Sequence, residues 1–145
     1  MRRRIRQIRM KREEREKERG QAMVEFALIL PFLLMLLCGI LDFGYILSRK
    51  NDLTHLSGGA ARECAIQAAA GNSGVAAVAQ SYVGGHATGG KVQVKSAVQT
   101  AAGSASYVTV TLTEKVRYLT GFTGVITGGH NDIELESTAS WPVEP

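Results

Sequence analysis

The chain has 145 residues, a formal net charge of +4 and two cysteines, a size that holds one small domain and excludes a large multi-domain enzyme. The charge is unevenly placed: residues 1–20 carry ten Lys/Arg and four Glu, a net of +6, and the remaining 125 residues carry a net of −2. The excess basicity therefore belongs to the N-terminal segment and gives no reason to read a folded body as a nucleic-acid binder.

The chain opens with Arg2, Arg3, Arg4, Arg6 and Arg9, followed by a mixed Lys/Glu run over residues 11–18. Such a run suits a solvated helix, and the arginines suit anionic lipid or RNA, but a cytoplasmic topology signal accounts for both more economically. An apolar run follows directly. No charge occurs from Phe26 to Leu41, and the apolar character extends to Leu47 with Asp42 as its single charge. The 25 residues from Met23 to Leu47 make about 37 Å of helix against a hydrocarbon core of about 30 Å, enough to span. Pro31 and Gly39 weaken a helix in water yet are tolerated in membrane helices.

Ten basic residues precede this run and only Arg49 and Lys50 closely follow it, so the positive-inside rule puts the N-terminus in the cytoplasm and everything after about residue 47 outside it. A cleavable secretory signal would need small residues after the apolar core. Asp42-Phe43-Gly44-Tyr45 offers none of that pattern. Lipidation at Cys38 is disfavoured by Leu36 and Leu37, which crowd the positions before it. The segment is expected to remain as an anchor. Glu25, at its cytoplasmic edge, is either solvated at headgroup level or waits for a partner, because a carboxylate within a spanning helix is costly.

From Arg49 to Ala70 the sequence predicts a helix, with Gly58-Gly59 as a possible bend and Gly71 as its end. Ala60, Ala61, Ala65 and Ala68 give it a small-residue surface on which another helix can lie closely. Val75, Val78, Ala79 and Tyr82 then repeat at helical spacing, predicting a short second helix closed by Gly84-Gly85. Cys38 and Cys64 fall on one helix about 26 residues apart, a rise far beyond disulfide reach, so both are expected as packed thiols.

Beyond residue 90 the apolar period changes to two. Val92 and Val94 alternate with Lys91, Gln93 and Lys95; Val108, Val110 and Leu112 alternate with threonines; Ile133, Leu135 and Trp141 share a face opposite Glu134 and Glu136. Three strands follow, most simply an antiparallel sheet covered on one side by helix, so the fold class is α+β. Lys and Glu faces are placed to pair if those strands are neighbours. Gly121, Gly124 and Gly128-Gly129 mark a long connection before the last strand.

Three signals carry no chemistry. Residues 85–91 satisfy the phosphate-loop spacing, but Val92 stands where Mg²⁺ needs Ser or Thr, and the loop leads into a strand. His55, His86 and His130 are dispersed without metal-ligand spacing and are expected as exposed loop residues. No serine or cysteine sits in a nucleophile motif, so neither an enzyme nor a cofactor is expected.

The junction Arg19-Gly20-Gln21-Ala22-Met23-Val24-Glu25-Phe26, a charged leader, a glycine and a glutamate before an apolar run, resembles the processing site of type IV prepilins and pseudopilins. That resemblance implies cleavage by a membrane prepilin peptidase between Gly20 and Gln21. It also implies that Glu25 pairs with the new terminal amine of a neighbouring subunit. A glycine passes closely through a protease cleft, and a carboxylate unfavourable alone becomes acceptable beside an ammonium group.

The likeness narrows with Glu25, Phe26, Ala27 and Pro31; then Gly39, Asp42, Phe43 and Gly44; then Ala60, Ala61, Arg62 and Ala65. These look like the TadE family of minor pseudopilins of the tight-adherence (Flp-type) pilus. The likeness runs from residue 20 to about 70. Phe26 stands where the major pilins of this system more often have Tyr. Those major pilins look far shorter, and TadG-like relatives carry a much larger C-terminal region, so the resemblance implies a minor pseudopilin with a pilin-like body.

It implies a cytoplasmic leader over 1–20, a transmembrane helix over 21–47 and an extracytoplasmic domain over 48–145, in a bacterial inner membrane. Its implied partners are the prepilin peptidase, the major pilin, a second minor pseudopilin, the inner-membrane assembly platform and membrane lipid, with roles in pilus biogenesis, adhesion and colonisation. The alternative is an unprocessed single-pass envelope anchor with an extracytoplasmic interaction domain.

Overall fold

The computed structural model describes residues 2–88, 91–102, 105–126 and 128–144, with side chains described from residue 20 onward except at 102, 125 and 126. The leader's side chains, and two glycines of the phosphate-loop-like stretch, Gly89 and Gly90, lie outside the described residues. The elements in order are α1 (Arg2–Ala69), α2 (Val75–His86), β1 (Val92–Ala102), β2 (Ala105–Arg117), α3 (Phe122–Ile126) and β3 (Asp132–Val143). The fold is α+β, as the sequence implies. The chain divides into two compact units at Ile40/Leu41.

In the first unit the backbone is helical and the described side chains are exposed all round, apart from the half-exposed Cys38. Phe26, Leu28, Phe32 and Leu36 each keep at least 60% of their surface. No face of this helix is polar between Phe26 and Ile40, the signature of a helix whose solvent is not water. Among the described residues, the part of α1 from Gly20 is long and apolar enough to cross a membrane, and no part of its apolar window is buried.

The second unit has a core of its own. Leu53, Ser57, Ala60, Ala61, Cys64 and Ala65 are buried along one stripe of α1 at helical spacing, and α2 adds Val75, Ala79 and Val83. The small residues on α1 let α2 approach: Cys64 Sγ donates to Val75 O at 3.4 Å, and a Cβ on Gly59 would stand 2.9 Å from Tyr82 Cζ. The helix is unbroken through Gly58-Gly59. Both cysteines are free, and burial pushes the Cys64 thiol pKa up, which suits a packed, unreactive group.

The helix stops at Gly71 for a backbone reason. Gly71 adopts φ +85°, and the amides of Gly71 and Asn72 donate to Ala68 O and Gln67 O, both at 3.0 Å, the paired bonds of a Schellman cap. Gly84-Gly85, in contrast, does not close α2. The helix continues to His86 because buried Val83 holds that turn, its carbonyl accepts the Ala87 amide at 2.9 Å, and the His86 ring stacks on Tyr82 with centroids 4.2 Å apart.

The sheet is an antiparallel meander in the order β1-β2-β3. Val108, Val110, Leu112 and Val116 of the central strand are buried, with Leu135 beside them on β3. Trp141 is paired with Val108 and shares the face of Leu135, yet it remains 44% exposed. β1 carries a bulge between Val94 and Ser96. The extra residue, Lys95, lets Val92, Val94 and Ala97 all oppose core-facing residues of β2. β1 and β3 are not neighbours, but Lys95 Nζ reaches across the outer face to Glu136 Oε2 at 2.7 Å, and this carboxylate raises the lysine's pKa.

Candidate functional site

The residues singled out by sequence fall into three groups, which the structure treats differently. Gly20, Gln21, Glu25 and Phe26 lie on α1 and all are exposed. Nothing comes within 4 Å of a Cβ built on Gly20. Gln21 and Glu25 are four residues apart, so they occupy one helix face a turn apart. Among the described residues no hydrogen bond or ion pair reaches Glu25. Ala27, Pro31 and Gly39 continue along the exposed helix, and nothing lies within 4 Å of a Cβ on Gly39.

The second group centres on Asp42, which is 1% exposed. Its Oδ1 accepts the Thr120 amide at 2.8 Å and its Oδ2 accepts the Thr120 hydroxyl at 2.6 Å and the Thr123 hydroxyl. A carboxylate buried with three donors is satisfied where it stands. Asp42 is also the first member of the body-facing stripe of α1, since Ile46, Arg49 and Leu53 follow at spacings of four, three and four residues. Its neighbours Phe43 and Gly44 point away and are exposed.

In the third group, Ala60, Ala61 and Ala65 are buried in the chain's own core, whereas Arg62 faces out. Beside this small-residue surface, α2 meets α1 at Cys64 and Gly59.

Sequence reasoning missed the most buried ion pair among the described residues. Arg49 Nη2 is paired with Glu114 Oε1, with side chains only 13% and 3% exposed, and Arg49 Nη1 donates to Thr88 O at 3.0 Å. The Glu114 hydrogen bond is the main cause that holds the guanidinium proton more tightly than usual, against the opposing effect of burial. The signal was present: the alternation Val108, Val110, Leu112 leads on to Glu114 on the same inward face, where a carboxylate needs a cation or a set of hydrogen-bond donors. Lys50 Nζ donates to Glu136 O. A hydroxyl cluster joins the same surfaces, with Ser57 Oγ 3.0 Å from Ser137 Oγ.

His55 and His86 lie on helices, not loops, and both line a cavity of about 270 Å³ beside Arg49, Tyr82 and Glu114. Among the described residues no group of three or more potential metal ligands occurs.

Residues 20–62 match the model of the family described as TadE-like protein. The match begins at Gly20 and ends at Arg62, so it contains all of the family-motif positions named above except Ala65. Searches of curated proteins and of solved structures returned no match. Together, the family match and the apolar helix point to a membrane-anchored protein associated with components of the tight-adherence pilus.

Proposed function

From a chain whose residues 20–62 are TadE-like, we propose a minor pseudopilin of the tight-adherence pilus, a structural and assembly subunit with no catalysis of its own. The prepilin peptidase cuts between Gly20 and Gln21, leaving the span to hold the body outside the inner membrane. Glu25 then serves as the assembly carboxylate, meeting the terminal amine of a neighbouring pilin or pseudopilin as subunits gather at the assembly platform. The fibre so started supports adhesion and colonisation.

One coincidence carries the reading. An unobstructed glycine opens the family match, and an exposed glutamate follows five residues later at the head of a helix that is apolar on every side. A glutamate in that place has no buried role in its own chain, and the low dielectric around it strengthens attraction to an incoming ammonium. Removing residues 1–20 also takes away a net of +6, turning a basic precursor into an acidic subunit of net −2.

The test is the mass of the protein from its native host and from a strain lacking the peptidase. The proposal expects a chain starting at Gln21 in the first and at Met1 in the second. Met1 in both strains overturns processing and leaves the unprocessed envelope anchor. Glu25→Ala should still be cleaved but enter the pilus about tenfold less, as when one member of a desolvated pair is left alone. Normal piliation in that variant removes the assembly role.

A further inference from the structure

The cavity of about 270 Å³ lies wholly within the second unit, lined by residues of α1, α2 and the sheet. It is far larger than the space of about 15 Å³, measured with a water-sized probe, that holds one water. Glu114 lines it, is 3% exposed, and gives one of its two carboxylate oxygens to Arg49. The other oxygen, Oε2, is buried with no hydrogen-bond partner, the one such side-chain N or O atom among the described residues. Buried polar atoms are nearly always bonded, so an orphan carboxylate oxygen beside an open space calls for a donor from outside the chain.

The remaining walls select that donor. Asp52, exposed on the same cavity, has Oδ2 3.5 Å from Arg49 Nη1, so two carboxylates oppose one guanidinium and, with both histidines neutral, the lining is net negative. An anion is repelled. His86 Nδ1 lies 2.9 Å from the Tyr82 carbonyl oxygen, so Nδ1 carries the ring proton and Nε2 of the neutral ring is left as an acceptor. The rings of Tyr82 and His86 stack with centroids 4.2 Å apart and offer an aromatic surface of the kind that attracts a cation. A metal ion finds no cluster of three ligands among the described residues. Leu53, Leu56 and Val92 supply an apolar wall, which favours a ligand with a hydrocarbon body over a bare ion.

We propose that this cavity binds a small alkylammonium group, whose N–H donates to Glu114 Oε2 while its alkyl body lies against Leu53, Leu56 and Val92. Arg49 holds the carboxylate in place through Oε1. The same chemistry is carried by a free amine and by a lysyl side chain of another chain. The site lies in the body alone and stands whether or not the leader is cut.

The experiment uses the full chain in a non-ionic detergent, with carbon-13-labelled Leu and Val methyl groups followed by NMR. The probes are butylammonium, its neutral counterpart butan-1-ol, and potassium, each at the same ionic strength. Butylammonium should shift the Leu53, Leu56 and Val92 methyls saturably and leave the exposed Val98 unmoved. It should bind about tenfold more tightly than the alcohol, the difference expected for a hydrogen bond to a charged acceptor. Equal binding of the alcohol overturns the proposal, and so does the same shift with potassium, which marks a counter-ion site. No shift at the three methyls also overturns it and leaves water as the partner of Oε2. Glu114→Gln, which keeps an oxygen for Arg49 and turns the free acceptor into a donor, should weaken butylammonium binding about tenfold; unchanged binding overturns the proposal. If that variant does not fold, Asp52→Asn, at an exposed helix position, should weaken butylammonium about threefold and leave the alcohol unchanged, and equal affinities in variant and parent overturn the proposal. A final titration with Nα-acetyl-lysine methylamide separates the sources. Binding as tight as butylammonium supports a lysyl side chain of another chain, and weaker binding supports a free amine.

Discussion

Residues 20–40 and residues 41–145 apply opposite rules to the same amino acids. In the first, leucines and phenylalanines are exposed on every side of a helix; in the second, Leu53 and Leu112 are 1% and 0% exposed. The first region makes no stabilising contact with itself beyond the backbone ladder and near neighbours on the helix, so its stability depends on what surrounds it. The second buries a core and pairs Arg49 with the buried Glu114. The lesson is that one chain holds two kinds of hydrophobicity, and substitutions should reveal which kind each residue serves.

The largest effect should come from the buried ion pair. Arg49→Ala leaves Glu114 charged and enclosed, and should lower the stability of the body by about 3–5 kcal/mol in a denaturant titration of the full chain in detergent. A loss under about 1 kcal/mol would show that water reaches Glu114. Next comes one substitution made in both regions. Leu112→Ala should cost about 2–5 kcal/mol, while Leu34→Ala, in the exposed helix, should change the same unfolding transition by less than about 0.5 kcal/mol. Equal effects would erase the distinction between the regions. The smallest change in the body is expected at its helix cap, where Gly71→Ala at φ +85° should cost about 1–2 kcal/mol. A neutral result there would mean the Schellman turn can rearrange.

Much of this division was legible in the sequence, because period and composition are local properties. The alternation at Val108, Val110 and Leu112, the apolar run after Glu25 and the stop at Gly71 all appear in the structure where the pattern puts them. What escaped was non-local or depended on a neighbour. Asp42 looks like a stray charge in an apolar run until Thr120 and Thr123, about eighty residues later, are folded against it. At Gly59 the missing side chain makes room for Tyr82, a neighbour twenty-three residues on that local pattern does not announce. At Lys95 a bulge changes the inward-facing parity of β1, which no reading of strict alternation anticipates. At the processing junction the sequence is the richer source: Gly20 and Glu25 are simply exposed, and their meaning lies in what approaches them.

The meander order bears on how the body comes to fold during synthesis. A ribosome delivers β3 last, and until Asp132–Val143 is available the central strand has a partner on one side alone. A β1-β2 hairpin is marginal by itself. Leu135 and the Ser137 hydroxyl that meets Ser57 on α1 are also missing at that stage. The core therefore closes only when the final strand zips along β2, so a chain stalled before that point should offer Val108, Val110 and Leu112 to whatever chaperone attends it.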